Sequence, residues 1–310
     1  MRWSSLATVL AVGSAGCALE EITLVDAEDV VVAEVYVNLA SDPADNEVLA
    51  FLHRTIGTDA SVADLFDARV TIRRSDGLSF VVPGAAVEDC VETAPLLEPG
   101  ACFLIGDATT SVLSPGDVFE VDIRLADGGL IFGAVQVPGR FEMAYPETCR
   151  LPPDALLDVR WSRSDRAWAY LNETSIRNLP SALEAEGIEV EEDPLYLLGL
   201  AVSASDTSIV FPSQFGVFNR LDLDQSLALR LQRGLPAGSR AQIAITAVDG
   251  NYVNWARGGT FNPSGQVRVA SLRGAGTGVF GATYAHTFQV LARSVPLPGV
   301  VDCPGLLPIR

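Results

Sequence analysis

Hydrophobic positions recur at every second residue along most of this chain. VVVAEVYVNL (30–39), EVLAFLHRTI (47–56), ARVTIRR (68–74), DVFEVDIRL (117–125) and LIFGAVQVP (130–138) are rich in β-branched or aromatic residues and largely alternate. A period of two puts alternate side chains on one face of an extended segment, so each predicts a strand with one buried face. Asp76-Gly77, Pro83-Gly84, Pro115-Gly116 and Asp127-Gly128-Gly129 punctuate the run. Such pairs supply the special φ values that tight turns need. Beyond residue 154 the rhythm returns in LLDVRWSRS, AWAYLNET, YLLGLAVSA, SLALRLQRG, RAQIAITAV, QVRVASLRG and VFGATYAHTFQVLA, each read as a strand. Two stretches depart from it: SALEAEGIEVEEDP (181–194) predicts a short helix running into an acidic loop, and NYVNWA (251–256) a helical turn. No period of about 20 to 50 residues repeats, which argues against solenoids and propellers. RFEMAYPETCRLPPD (140–154) carries three prolines and marks a boundary. The prediction is all-β, with two antiparallel β-sandwich domains (Ig-like or transthyretin-like) over 30–142 and 143–310.

The glycine-rich Gly276-Thr277-Gly278-Val279-Phe280-Gly281 matches GxGxxG in letters. A dinucleotide fingerprint needs those glycines to follow a strand and open a helix whose amino terminus meets the pyrophosphate. Here ATYAHTFQVLA follows, and it alternates as a strand does. The glycines are read instead as permitting positive φ and close backbone approach. Phe280 and Tyr284, an even number apart, are expected on one core-facing side.

Composition narrows the chemistry. The 310 residues contain no lysine; 21 basic residues, all arginine, face 39 acidic ones, for a net charge of -18. That excludes Schiff-base and P-loop lysine chemistry, and it argues against nucleic acid or an anionic membrane surface as a partner of the chain as a whole. The two histidines, His53 and His286, both fall in strand patterns. They are expected to be surface or satisfied strand residues rather than bases, with parities that place both on a packed face. No GxSxG elbow occurs. Carboxylates cluster at Asp64 and Asp67, at Glu191, Glu192 and Asp193, and at Asp222 and Asp224, where two on one side of an extended segment suit a hard cation. EF-hand spacing is absent, so neither a metal nor any other cofactor is expected. Paired carboxylates leave no sequence signature, so a paired-carboxylate hydrolase stays open as an alternative.

The amino terminus changes the setting. Arg2, an apolar run from Leu6 to Gly16 and a small-residue stretch ending at Cys17 have the layout of a signal peptide over 1–16. The run is roughly half the 20 or so apolar residues that a spanning helix needs. Ser14-Ala15-Gly16-Cys17 resembles the lipobox of bacterial lipoproteins, in which the cysteine is acylated after cleavage; residues 17–29 would then be a lipidated tether. The resemblance implies palmitate-type chains on Cys17, and Ala18 rather than Asp after it implies the outer membrane. Four cysteines remain: Cys90, Cys102, Cys149 and Cys303. In an exported chain they predict two disulfides, with three connectivities possible. Cys90 and Cys102 flank a turn-rich segment and pair most easily, leaving Cys149 with Cys303. No metal-type spacing occurs among them.

Asn262-Pro263, the run VRVASLRGAGTGVFGATY, the opening EEITLVDAEDVVVAEVYVNL, the strand Ala68-Arg69-Val70-Thr71-Ile72 and the closing Val137-Pro138 together resemble the domain of unknown function 4249 family of bacterial lipoproteins. The likeness spans nearly the whole mature chain. The disulfides, the missing lysines and the acidic loop at 186–194 depart from it. It implies an outer-membrane lipoprotein of β-sandwich domains, often beside a TonB-dependent transporter, with no catalytic residues to carry over. The expectation is therefore a non-catalytic binding or accessory protein held to the bilayer through Cys17, with such a transporter as partner and no nucleic acid. The alternative is a stand-alone carbohydrate- or peptide-binding module using Trp168, Tyr170, Tyr252 and Trp255 as an aromatic platform, with core packing as the competing role for all four.

Overall fold

A computed structural model describes residues 29–55, 62–90, 99–106, 108–200, 203–214, 225–257 and 268–307. The signal peptide, Cys17, nearly all of the tether, Asp222, Asp224 and Asn262-Pro263 lie outside the described residues.

The strands are β1 (Val31–Ala40), β2 (Glu47–Arg54), β3 (Arg69–Arg74), β4 (Ser79–Val82), β5 (Gly84–Ala85), β6 (Gly100–Ile105), β7 (Val118–Arg124), β8 (Leu130–Gln136), β9 (Thr148–Leu151), β10 (Leu156–Arg160), β11 (Ala169–Arg177), β12 (Leu195–Leu200), β13 (Ser208–Phe211), β14 (Arg240–Val248), β15 (Arg273–Gly274), β16 (Gly276–Ala292), β17 (Val301–Asp302) and β18 (Leu306–Leu307). Among the described residues, four short α-helices accompany them: α1 (Val87–Cys90), α2 (Leu179–Leu183), α3 (Gln225–Leu231) and α4 (Gly250–Arg257). The all-β expectation holds.

The strands form three sheets. The largest runs β12-β11-β14-β16-β1-β2-β6-β5, with β9 and β17 joined at one end of β16. A five-stranded sheet runs β15-β8-β7-β3-β4, and a three-stranded one β13-β10-β18. Pairing is antiparallel except for β1 with β16, β16 with β9, and β9 with β17. The five-stranded sheet draws four of its strands from the first half of the chain, and the three-stranded sheet draws all of its strands from the second.

The long strand β16 belongs to both halves. Its first ten residues run parallel to β1, from Val31 opposite Gly276 to Ala40 opposite Ala285. From Thr283 onward it also pairs antiparallel with β14, and its last four residues pair with β9. Inward residues alternate as the sequence pattern requires: Val35 and Val37 of β1, Val70 and Ile72 of β3, Val121 and Ile123 of β7, Ile243 and Ile245 of β14, and Leu157 and Val159 of β10 are all fully buried. They join one continuous core that passes through both halves.

One strand expectation fails. SLALRLQRG forms α3 instead. Its buried residues are Leu227, Arg230 and Leu231, spaced three and four apart as on a helix face, while Leu229 points outward. Leu, Ala, Arg and Gln are all strong helix formers, and a six-residue alternation is too short to outweigh that preference. QVRVASLRG likewise contributes only the two residues of β15 among those described. NYVNWA is helical as expected, within α4.

Candidate functional site

The outer face of the large sheet, turned away from the main core, carries a group of aromatic and charged side chains around α4. Helix α4 sits on it, and its position follows from two residues. Asp249, buried just ahead of the helix, accepts hydrogen bonds from the amides of Asn251 at 2.8 Å and Tyr252 at 3.1 Å, two of the amino-terminal N–H groups that a helix cannot satisfy itself. The same carboxylate accepts a third from the Ala282 amide of β16 at 3.0 Å. Burial raises the Asp249 pKa, and the backbone donors oppose that rise. Asn251 donates through Nδ2 to the carbonyls of Phe280 at 2.9 Å and Ala134 at 3.2 Å, tying α4 to β16 and β8.

Where α4 crosses β16, Gly281 leaves space. A Cβ there would lie 3.1 Å from the Tyr36 ring and 3.4 Å from Cβ of Tyr252. The two tyrosine rings meet with centroids 5.6 Å apart. One turn further along α4, Trp255 packs against Val32 and Val279 and donates from Nε1 to Glu34 Oε1 at 3.1 Å. Arg268 approaches the same oxygen at 3.7 Å and lies 4.8 Å from the Trp255 ring centre, a cation–π distance. The Tyr36 hydroxyl also feels the Glu34 carboxylate, which raises its pKa. One half-buried carboxylate thus gathers an indole, a phenol and a guanidinium. A polar row of Glu47, Asn38 and Thr283 continues along the sheet, with Asn38 bonded to both neighbours at 3.0 Å.

The electrostatics hold both tyrosines in their protonated form. Burial, then Glu34, pushes the Tyr36 hydroxyl well above its usual pKa; burial, then Glu173 and Glu34, pushes Tyr252 up to about 12. Both phenols are neutral near pH 7, and Glu34 is already engaged by donors. The group gathers hydrogen-bonding atoms around rings that are largely covered: Trp255 is buried, and Tyr36 and Tyr252 are half-buried.

The four aromatic candidates separate. Tyr252 and Trp255 come together on α4. Trp168 lies at the other end of that helix, 57% exposed, with its indole 2.9 Å from where a Cβ on Gly250 would stand. Tyr170 goes to the core: it is 1% exposed, edge-on to Phe141 and Trp161, and its hydroxyl accepts from the Ser164 amide at 2.7 Å. For Tyr170 the packing role holds. Glu34, Tyr36 and Arg268 were not singled out from the sequence. The available signal was the placement of Glu34 and Tyr36 on the even, non-core side of β1.

The cysteines pair as Cys90–Cys102 and Cys149–Cys303. The first joins α1 to β6, and the second joins β9 to the segment after β17. His286 lies on the inner side of β16, with Nε2 2.8 Å from the Phe141 carbonyl and its ring 4.9 Å from that of Phe141. That contact requires Nε2 to carry the proton, and burial lowers the pKa. His53 stacks on Phe51. Asp64 pairs with Arg54 at 2.7 Å, Asp193 accepts from the Asn178 amide at 2.9 Å, and Asp67, Glu191 and Glu192 are exposed. Among the described residues, no group of three or more His, Cys, Asp or Glu is placed to hold a metal ion. Nor is any helix among them long and apolar enough to cross a membrane.

No protein-family model matches the chain, and no curated protein matches it. Among solved structures, the two tandem V-type regions of a v-region-containing chitin binding protein align over 81% of this chain and 99% of theirs at 9% identity. The TM-score is 0.17, too low for that likeness to bear on fold or ligand.

Proposed function

We propose that this chain is an outer-membrane lipoprotein, held by acyl chains on Cys17, that works as a non-catalytic binding or accessory protein. The observation that carries the reading is the cysteine arrangement. One cysteine ends a lipobox-like quartet, and the other four are consumed in two disulfides, a usage suited to an oxidising envelope compartment. Resemblance to the domain of unknown function 4249 lipoproteins points to a TonB-dependent transporter as the partner. The test is mass analysis of the amino-terminal peptide from membranes, joined to affinity purification from detergent-solubilised outer membranes. Acylated Cys17 and a co-purifying transporter are expected. An unmodified Cys17 in protein recovered from the soluble fraction would sink the anchor.

A second reading, a stand-alone carbohydrate or peptide binder, is favoured by one local observation: Trp255, Tyr252, Tyr36, Glu34 and Arg268 converge beside α4, with Trp168 exposed at its other end. Isolation of the lipidated protein without a partner, together with ligand-dependent quenching of tryptophan fluorescence that Trp168→Ala weakens, would move the assignment to this reading.

A further inference from the structure

Among the described residues, the outer face of the five-stranded sheet is largely exposed, and its charge is opposite in sign to that of the molecule. Strand register sets its side chains in rows. Arg69 of β3 stands directly opposite Arg124 of β7, which stands opposite Leu130 of β8. The next row runs Val81, Thr71, Asp122, Phe132 and Arg273 across all five strands. The row beyond holds Arg73 and Glu120. Arg73 is paired with Asp122 and Glu120, which uses both carboxylates on these rows. Among the described residues, Arg69, Arg124 and Arg273 have no carboxylate partner, and all three are exposed. The face is therefore positive on a chain whose total charge is -18.

Like charges directly opposite each other on a sheet are destabilising. The Arg69–Arg124 pair is therefore unfavourable unless something anionic lies over it. The same face presents Val81, Val118, Leu130 and Phe132, the last 46% exposed, so that apolar and guanidinium groups alternate on a flat surface. Its position matters as well. Leu130 and Gly274 lie at the end of the sandwich where the chain enters β1, because the Ala275 amide donates to the Leu130 carbonyl at 2.9 Å and Gly276 is registered with Val31. Asp29 lies twelve positions after Cys17. A chain of that length reaches no further than about 40 Å. Anything bonded to Cys17 stays within that distance of this end.

We propose that this face is the membrane-facing side of the protein and that its arginines contact anionic lipid headgroups. The inference rests on the anchoring role of Cys17 given above. A strongly acidic molecule tethered close to an anionic surface is repelled over most of its own surface, and it lessens that repulsion by turning this positive face inward. Guanidinium groups match phosphate oxygens in geometry. Phe132 and Leu130 suit the headgroup boundary, where an apolar body can enter while charged neighbours stay hydrated. The net charge argues against such a surface as partner of the whole chain, but this face differs in sign from that whole.

The test uses the full acylated chain in phosphatidylcholine vesicles with and without phosphatidylglycerol. An environment-sensitive fluorophore is placed on Ala134→Cys, within the face, or on Glu191→Cys, in the acidic loop. The Ala134 probe is expected to shift to the blue and rise at least about twofold only with phosphatidylglycerol, and to lose the response at high salt, where screening is strong. The Glu191 probe should not respond. Combining Arg69→Glu, Arg124→Glu and Arg273→Glu should abolish the response while the protein still floats with vesicles through its acyl chains. Equal responses at both positions, or a response surviving that reversal, overturns the proposal. So does a response to soluble poly-glutamate but not to vesicles, which would assign the face to an acidic protein partner. Flotation at high salt reports the anchor separately. If it is lost, the anchor reading fails, and the Ala134 probe is read at low salt in a Cys17→Ala background, where silence with phosphatidylglycerol vesicles would reject the face as well.

Discussion

The two halves of β16 reach the same end, a central strand paired along its whole length, by opposite means. At Gly276, Gly278 and Gly281 the strand works by lacking side chains. A Cβ on Gly278, whose φ is +133°, would lie 2.0 Å from the Ala33 carbonyl oxygen; one on Gly276 would lie 2.6 Å from that of Val31. From Tyr284 to Ala292 the strand works by filling space: Tyr284, Phe288, Val290 and Ala292 are buried, and Phe288 stacks on Tyr145 with centroids 4.5 Å apart. The first half can tolerate almost no added atom, and the second can hardly lose one. A parallel neighbour pressed this close selects glycine for its absent Cβ, while a partner sheet at ordinary spacing selects volume.

Five experiments would break or sharpen that contrast. The largest effect is expected beside the second half, where Cys149–Cys303 spans 154 residues of sequence. Removing it with Cys149→Ser and Cys303→Ser should cost on the order of 5 kcal/mol by the chain-entropy argument, read as a shifted urea midpoint. Cys90–Cys102, with a separation of 12, provides the comparison and should cost about 3 kcal/mol. In the first half, Gly278→Val should cost roughly 4 kcal/mol or prevent folding, since both φ and space forbid the side chain. If Gly278→Val were as stable as the parent, the account of the glycine run would fall. Phe288→Ala, removing volume where the other variant adds it, should cost about 3 kcal/mol. Asp249→Ala, which removes the cap of α4 and its tie to Ala282, should cost about 1–2 kcal/mol.

The smallest effect is one of pH, and its sign differs between the halves. The folded pKa of His286 lies below its ordinary 6.5, so its contribution is complete above that value and is lost as pH falls through it. The folded pKa of Asp249 lies above its ordinary 3.8, so its contribution is complete below that value and is lost as pH rises through the folded one. His286→Gln should therefore flatten the decline in stability below pH 6.5, and Asp249→Asn should remove a component that favours acid. Urea titrations at stepped pH check both.

Much of the fold is legible in local pattern. β1, β2, β3, β7 and β8 fall inside the alternating segments, with buried residues at the expected parity. The glycine run proves to be a strand, because the residues after it alternate; letter matching to GxGxxG ignores that context. The pairing of Cys90 with Cys102 follows from proximity in sequence. α3 was misread because three leucines at every second position also satisfy a helix when only two of them face inward.

The candidate site was only half legible. Tyr252 and Trp255 stood out as aromatics in a helical turn, but Glu34 and Arg268, which complete the group, lie 221 residues before and 13 after Trp255. Nothing in VAEVYVN indicates that its outward side will meet a helix instead of water. The positive face of the five-stranded sheet was equally hidden, because a net charge averages over the surface and says nothing of which strands lie side by side.

By itself the sequence settled the β character, the turns, the even cysteine set and the side of each strand that turns inward, because these depend on near neighbours and on the two-residue repeat of an extended chain. Tertiary structure alone decided that β1 and β16 run parallel, that one strand serves both halves, and that Arg69 stands beside Arg124. Those outcomes depend on which distant surfaces fit together with their backbone hydrogen bonds satisfied, a choice among many pairings that no short stretch of chain encodes.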